Sequence, residues 1–161
     1  MLSNFGNLLL LLNICLSLTI IYKGYNSLRV TENFFPKTIY QLSILQSTFI
    51  VICFFTLIAA FIISDFSLIT VYQNSHTSKP IFYKIVGAWG NHEGSLLLWV
   101  IILIIFSFLF LVFNKDHPKE FRVITLIIQN ILISGFLFFI LFNSNPFSAL
   151  SPVPKEGLGL N

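Results

Sequence analysis

Four apolar runs constrain this chain more than anything else in it. They lie at residues 5–22, 42–63, 95–113 and 123–142, and none holds a charged side chain. A membrane-crossing helix needs roughly 20 mostly apolar residues. In hydrocarbon every backbone amide must be satisfied within the protein, and a helix does this without help from a neighbouring segment. Spanning strands would alternate polar and apolar residues over about ten positions, and these runs do not alternate. Composition agrees with a lipid solvent: 9% of the 161 residues are charged and 56% are hydrophobic, against about 25% charged in a soluble domain. The expected fold class is all-α: a polytopic membrane protein with about four transmembrane helices, forming one membrane domain over residues 1–161.

Orientation follows from the basic residues between the runs, because cytoplasmic or matrix loops carry the excess of Lys and Arg. The first loop and its edges hold Lys23, Arg29 and Lys37; the third holds Lys115, Lys119 and Arg122. The second holds Lys79 and Lys84, and the tail holds Lys155. Six against three places loops one and three inside. The N-terminus, loop two (residues 64–94) and the tail (residues 143–161) are then expected on the outer face. No basic residue precedes Lys23, so the start lacks the charged head of a secretory signal and the Arg-rich pattern of a transit peptide. The first run is expected to stay in the mature protein.

Loop two contains "SKPIFYKIVGAW", with apolar residues at Ile81, Phe82, Ile85, Val86 and Trp89. That is helical spacing on one face, and Pro80 suits a first helical position. At about ten residues it is too short to cross a bilayer. Two readings stay open: a short helix lying in the membrane interface, or an apolar connector with a snorkelling Lys84.

The stretch "AWGNHEGSLLLWV" sets polar residues at the mouth of the third run. Trp89 is an amphipathic ring where such rings collect. Gly90 and Gly94 permit a tight turn, Ser95 can cap the helix, and Glu93 lies near its positive dipole end. Asn91 and His92 are not accounted for by that reading. A histidine in this position can hydrogen-bond a loop, shuttle a proton or ligate haem iron, and the residues alone leave these open. His92 and Glu93 would point about 100° apart on a helix, a poor pair for one metal, so no metal site is expected. His76 and His117 read as solvated loop histidines. Cys15 and Cys53 lie inside apolar runs without a CxxC or zinc spacing and read as small buried hydrophobes. A net charge of +3 without a Lys/Arg cluster gives nucleic-acid binding no support.

The tail reads "FNSNPFSALSPVPKEGLGLN". Asn145-Pro146 ends the fourth helix, since proline cannot continue it. The segment beyond it is expected to be extended and non-helical, with too little apolar content to fold alone.

Two segments together resemble one family. "PIFYKIVGAWGNHEGSLLLWVIIL" looks like the approach to the third span of CcmF-type cytochrome c biogenesis proteins, and "NSNPFSALSPVPKEGLGLN" looks like the loop after their fourth span. Trp89, Gly90, Asn91, His92, Glu93, Gly94 and Ser95 match the first motif. Asn145, Pro146, Phe147, Pro152, Pro154, Glu156, Gly157, Leu160 and Asn161 match the second. The resemblance covers the chain in hydropathy and spacing, and these segments in residue detail.

The resemblance implies a component of a haem lyase, which joins the vinyl groups of haem to the thiols of a CxxCH motif in apocytochrome c on the outer face of the membrane. Its cofactor would be haem, bound by the complete complex. The family's haem-binding histidines and its tryptophan-rich segment lie beyond the region covered, so no axial ligand is transferred to any residue. The motif residues near haem or a partner would be Trp89, Gly90, Asn91, His92, Glu93, Gly94, Asn145, Pro146 and Glu156. The implied partners are a C-terminal lyase portion or companion subunit, a haem carrier protein and apocytochrome c. As an N-terminal portion the chain would be a non-autonomous part of the enzyme, either a fragment or a subunit of a split gene. Nineteen Phe against four Ala, the bias an AT-rich organelle genome gives, and the absent transit signal point to the mitochondrial inner membrane, with a bacterial inner membrane as the alternative. The competing reading, a transporter or respiratory-complex subunit, usually places ionisable residues within its spans; here the spans hold none.

Overall fold

The computed structural model describes residues 1–29 and 35–159. They form six helices: α1 Leu2–Arg29, α2 Lys37–Ile62, α3 Ile69–Asn74, α4 Ile81–Gly87, α5 His92–Phe113 and α6 Lys119–Asn143. α1, α2, α5 and α6 are long and apolar enough to cross a membrane. Each contains one of the four apolar runs, apart from Ile63, which is the C-cap residue of α2. The helices outrun the runs because polar helix formers continue them. Beyond residue 22, α1 is carried on by Lys23, Tyr25 and Arg29, and an Arg29 guanidinium nitrogen donates to the Tyr25 hydroxyl at 2.6 Å.

The four long helices make an antiparallel ring. α1 packs on α6 and α2, α2 on α5, and α5 on α6. Buried residues recur about every three or four positions on each helix, as on α5 at Leu97, Val100, Ile101, Ile104, Ser107 and Leu111. This is the period that turns one face inward. The opposite faces carry exposed Phe55, Trp99, Phe106 and Phe142. Large apolar groups on the outside suit a hydrocarbon solvent, which does not penalise them. With its four spanning helices, this is a multi-pass membrane protein.

Between helices, lipid supplies no hydrophobic drive, so packing and hydrogen bonds hold the ring together. Near its centre the Gln46 amide of α2 donates to Ser17 Oγ of α1 at 2.7 Å and to Asn130 Oδ1 of α6 at 3.2 Å. Asn130 in turn donates to the Leu126 carbonyl one turn back. One amide thus ties three helices, all with buried partners.

α2 closes on a tight C-terminal turn. Ser64 adopts φ 57°, its N–H donates to the Phe61 carbonyl, and the Asp65 N–H donates to the Ala60 carbonyl. These are the two bonds of a Schellman cap. Loop two then folds over this end of the ring. α4 is the helix expected in "SKPIFYKIVGAW", with one shift: Pro80 is the N-cap residue and Ile81 the first helical one. α3 has no counterpart among the sequence expectations. Among the described residues no strand forms, and the single backbone bridge pairs Leu68 with Ala149.

Candidate functional site

Both motif segments fold to one end of the ring. The first lies at the N-terminus of α5. Asn91 is the N-cap: its Oδ1 accepts from the Gly94 N–H at 2.8 Å, and its Nδ2 donates to the Gly87 carbonyl at 2.7 Å. One amide therefore satisfies an orphan donor of α5 and a carbonyl of α4's last residue, fixing the angle between the two helices. The expected cap, Ser95, lies inside the helix, and its hydroxyl bonds back to the His92 carbonyl. Gly94 is also helical, so it serves close approach and not a turn: a Cβ there would run into the Ala88 carbonyl oxygen.

The other residues of this segment have distinct places. Trp89 is half-buried and stacks on Phe54 of α2 with ring centroids 6.1 Å apart. Glu93 lies in the first turn of α5, where the helix dipole favours its charge. Gly90 is exposed. His92 is exposed as well, and its Nε2 shares a hydrogen bond of 3.1 Å with Ser144 Oγ, the C-cap residue of α6. Of the roles left open for His92, the geometry provides the loop hydrogen bond.

The second segment is non-helical as expected, but it is held on both sides of a mostly exposed bend at residues 151–155 by the rest of the protein. Asn145 Oδ1 accepts from the Phe147 N–H at 2.9 Å, and Asn145 Nδ2 donates to Asn7 Oδ1 of α1 at 2.7 Å. Pro146 is buried and Phe147 is fully buried. The Phe147 ring fills a notch at Gly6 of α1, where a Cβ would collide with it. Its carbonyl accepts from Ser3 Oγ at 2.7 Å. The tail then runs along loop two: Ile69 N–H donates to Ser148 O, Leu150 N–H to Ser67 O, Leu158 N–H to Tyr72 O and Gly159 N–H to Ser75 O. Gly157 and Gly159 are buried against the backbone of Ser75 and Asn74, which leaves no space for a side chain. Leu160 and Asn161, the last two motif matches, lie outside the described residues.

Glu156 closes this seam. Thr77 Oγ1 donates to its carboxylate at 2.8 and 3.0 Å, and His76 Nε2 lies 3.4 Å from Oε2. These contacts, the Thr77 hydroxyl foremost, hold the Glu156 carboxyl below the usual Glu value. His76 Nδ1 meanwhile accepts from the Ser78 N–H. The expectation of a free, solvated His76 is thus corrected; the cause is a partner 80 positions away in sequence, which local reading does not find. A second correction concerns Cys15. Cys53 is buried, but Cys15 is exposed on the outward face of α1, because its position falls opposite the buried stripe.

The two segments meet at a polar pocket of about 300 Å³, lined by Gln73, Asn74, Lys79, Gly87, Gly90, Leu158 and Gly159. Lys79 Nζ reaches in from loop two and donates to the Asn74 carbonyl at 3.0 Å. Haem iron needs a free histidine, cysteinate, methionine or tyrosinate axial ligand. The pocket lining has none, and His92 and His76, which hydrogen-bond Ser144 and Ser78, are not part of it. The lining of this pocket does not fit haem iron. No group of three His, Cys, Asp or Glu among them could hold a metal ion either.

Known proteins resemble the chain in sequence and in fold. Residues 89–159 match the cytochrome C assembly protein family, a range that begins at Trp89 and includes the whole described tail. The cytochrome c-type biogenesis protein CycK of Rhizobium meliloti is 46% identical over 108 residues, 67% of this chain and 16% of the relative. The cytochrome c-type biogenesis protein CcmF of Escherichia coli is 42% identical over 109 residues, 67% of this chain and 17% of that one. The chain therefore spans about a sixth of the length of these relatives. In fold it superposes on a solved structure, the cytochrome c heme lyase CcmF, with a TM-score of 0.84 at 22% identity, covering 94% of this chain and 26% of that one. Residues 89–159 match the cytochrome C assembly protein family, and about two thirds of the chain is similar in sequence to one portion of the CcmF- and CycK-type cytochrome c biogenesis proteins.

Proposed function

We propose that this chain is a non-autonomous part of a cytochrome c haem lyase, which supports covalent attachment of haem to apocytochrome c without ligating the iron. One observation carries the reading. The two segments with the family's residue pattern, far apart in sequence, are assembled into one rigid end of the ring, and nearly every motif side chain has a packing or hydrogen-bonding duty there. Trp89, Asn91 and Gly94 set the angle of α4 against α5, and Asn145, Phe147 and Glu156 fasten the tail. The product is a platform, with Gly90 and Lys79 bordering its polar pocket. Its use would be to position the lyase portion that holds haem, and to present a surface to the haem carrier and the apocytochrome.

The basic-residue bias supports placing this platform on the outer face, with loops one and three inside. Exposed Ile81, Phe82 and Tyr83 support α4 lying in the interface, beside the end of α2, where Lys84 Nζ donates to Ser64 Oγ at 2.7 Å. The membrane is the mitochondrial inner membrane on the composition argument, and a bacterial inner membrane on the kinship with CcmF and CycK. A transporter is the weaker reading, because the runs at the centre of the four helices carry amides and hydroxyls but no ionisable path.

The experiment replaces residues 145–159 with a Gly/Ser linker of equal length in cells that depend on this gene, and follows covalent haem on c-type cytochromes. Loss of covalent haem while membrane-inserted chain persists supports the reading; unchanged haem attachment overturns it. A cysteine at exposed Val153, in a chain with Cys15 and Cys53 changed to Ala, tests the orientation. An impermeant thiol reagent added from the outer side should label it, and labelling only from the inner side would reverse the topology.

A further inference from the structure

A groove of about 470 Å³ runs between α5 and α6 on the outside of the ring, walled by Leu96, Ile131, Leu132, Phe136 and Phe139 and floored by Gly135. The long helices hold four glycines, and three are occupied notches. Gly6 receives the Phe147 ring, Gly24 faces Ile127, and Gly94 receives the Ala88 carbonyl. Gly135 has open space: a Cβ there would meet nothing within 4 Å. A glycine in mid-helix costs roughly 1 kcal/mol against Ala in water. Inside membranes small residues are found where another helix approaches closely, since packing is what holds such helices together.

We propose that this groove seats a transmembrane helix from the remainder of the CcmF-type protein, with one of its side chains entering the Gly135 notch. The choice of occupant rests on length. The fold covers 26% of the matched solved chain, and the chain covers 16–18% of its relatives, so proteins of this kind carry much more polypeptide than this ring. The lining also selects the occupant's chemistry. Its walls are aliphatic and aromatic, with no hydrogen-bonding side chain among them, so it fits an apolar helix and not a loop or a polar peptide. The notch lies on the outward side of α6, between exposed Ile131, Leu132 and Phe139. A helix seated there would cover the two adjacent spans α5 and α6 together.

The inference rests on the lyase-component reading for the identity of the occupant. Its test replaces Phe139 with the photoreactive analogue p-benzoylphenylalanine, in native membranes that contain the rest of the CcmF-type protein on the same or a second polypeptide. Illumination should give an adduct to one apolar segment of that remainder, identified by mass spectrometry. Gly135→Leu should abolish the adduct by filling the notch, whereas Gly135→Ala should keep it. Adducts to lipid only, or to a second copy of this chain, overturn the proposal, as does an adduct that survives Gly135→Leu. Recovery of the remainder with affinity-purified Gly135→Ala and Gly135→Leu chains reads the same contact without the photoprobe. The Leu variant should recover at least about tenfold less, the scale of an overpacked contact; equal recovery overturns the proposal. Covalent haem on c-type cytochromes is followed in parallel. Lipid-only adducts in cells whose haem attachment needs this chain would sink the groove alone, and an adduct in cells that mature cytochromes without it would sink the lyase reading alone.

Discussion

The fit of Phe147 into Gly6 allows a double-mutant cycle with a worked outcome. Phe147 is fully buried, and truncating such a ring to Ala costs about 3–5 kcal/mol through lost transfer and a residual cavity. The bonds from Ser3 and Asn7 go to the Phe147 carbonyl, so Phe147→Ala keeps them and isolates the ring. Gly6→Ala places a methyl group into that ring, an overpacking that costs about 1–3 kcal/mol. With the ring removed, the methyl has room, and Ala in mid-helix gains up to about 1 kcal/mol over Gly. The two changes should therefore couple by at least about 1 kcal/mol, the double mutant being more stable than the sum of the singles predicts. The assay is reversible unfolding of the detergent-solubilised chain, with cleavage in the tail by a protease as a local probe. Additivity within about 0.5 kcal/mol, the behaviour of independent sites, would refute the claim that the tail is anchored by this ring in this notch.

Other expectations rest on single contacts. Asn91→Ala should cost about 1–2 kcal/mol, a lost N-cap plus an undonated Gly87 carbonyl, and Asn91→Asp should cost less because it keeps the acceptor; unfolding of the two variants compared with wild type decides. Gln46→Met should destabilise the ring by about 0.6 kcal/mol and at most about 1.7, the average and maximum for interhelical hydrogen bonds in membranes, and no loss would mean the Ser17 and Asn130 contacts are idle. Glu156 has a lowered carboxyl pKa in the fold, so its contribution to tail docking is full above the unfolded value of about 4.3 and is lost as pH falls through the lowered value. A fluorophore at position 153 should gain mobility on acidification through that window, and Thr77→Val, which removes the largest cause of the shift, should flatten the response.

The four spans were legible because hydropathy is a local property, and residues 5–22 or 95–113 announce a membrane helix without reference to anything else. Their ends were less so: α1 runs on through Lys23 and Arg29, whose helical state no apolar window registers. The platform was legible only as a pattern of residue types. Ser95 has the usual look of a cap at an apolar boundary, but the helix starts earlier, and only the position of the Gly87 carbonyl shows why Asn91 caps it. α3 was hidden because Ile69–Asn74 is short and its backbone neighbour, the tail, comes about 80 residues later. The same long separation hid the His76–Glu156 contact and the burial of Phe147, since a proline-rich tail with little apolar content gives no local sign of the ring that pins it. Haem was readable only through the resemblance, because no residue pattern in the chain by itself marks a haem ligand.

The central claim is that this ring and its platform serve covalent haem attachment. Its most direct test removes the gene, restores it in trans, and measures thioether-bound haem on c-type cytochromes by peroxidase staining of denaturing gels while tracking the apocytochrome by immunoblot. The account predicts that covalent haem disappears while apocytochrome is still made, and that it returns with the wild-type gene. Covalent haem at wild-type levels without the gene would contradict it.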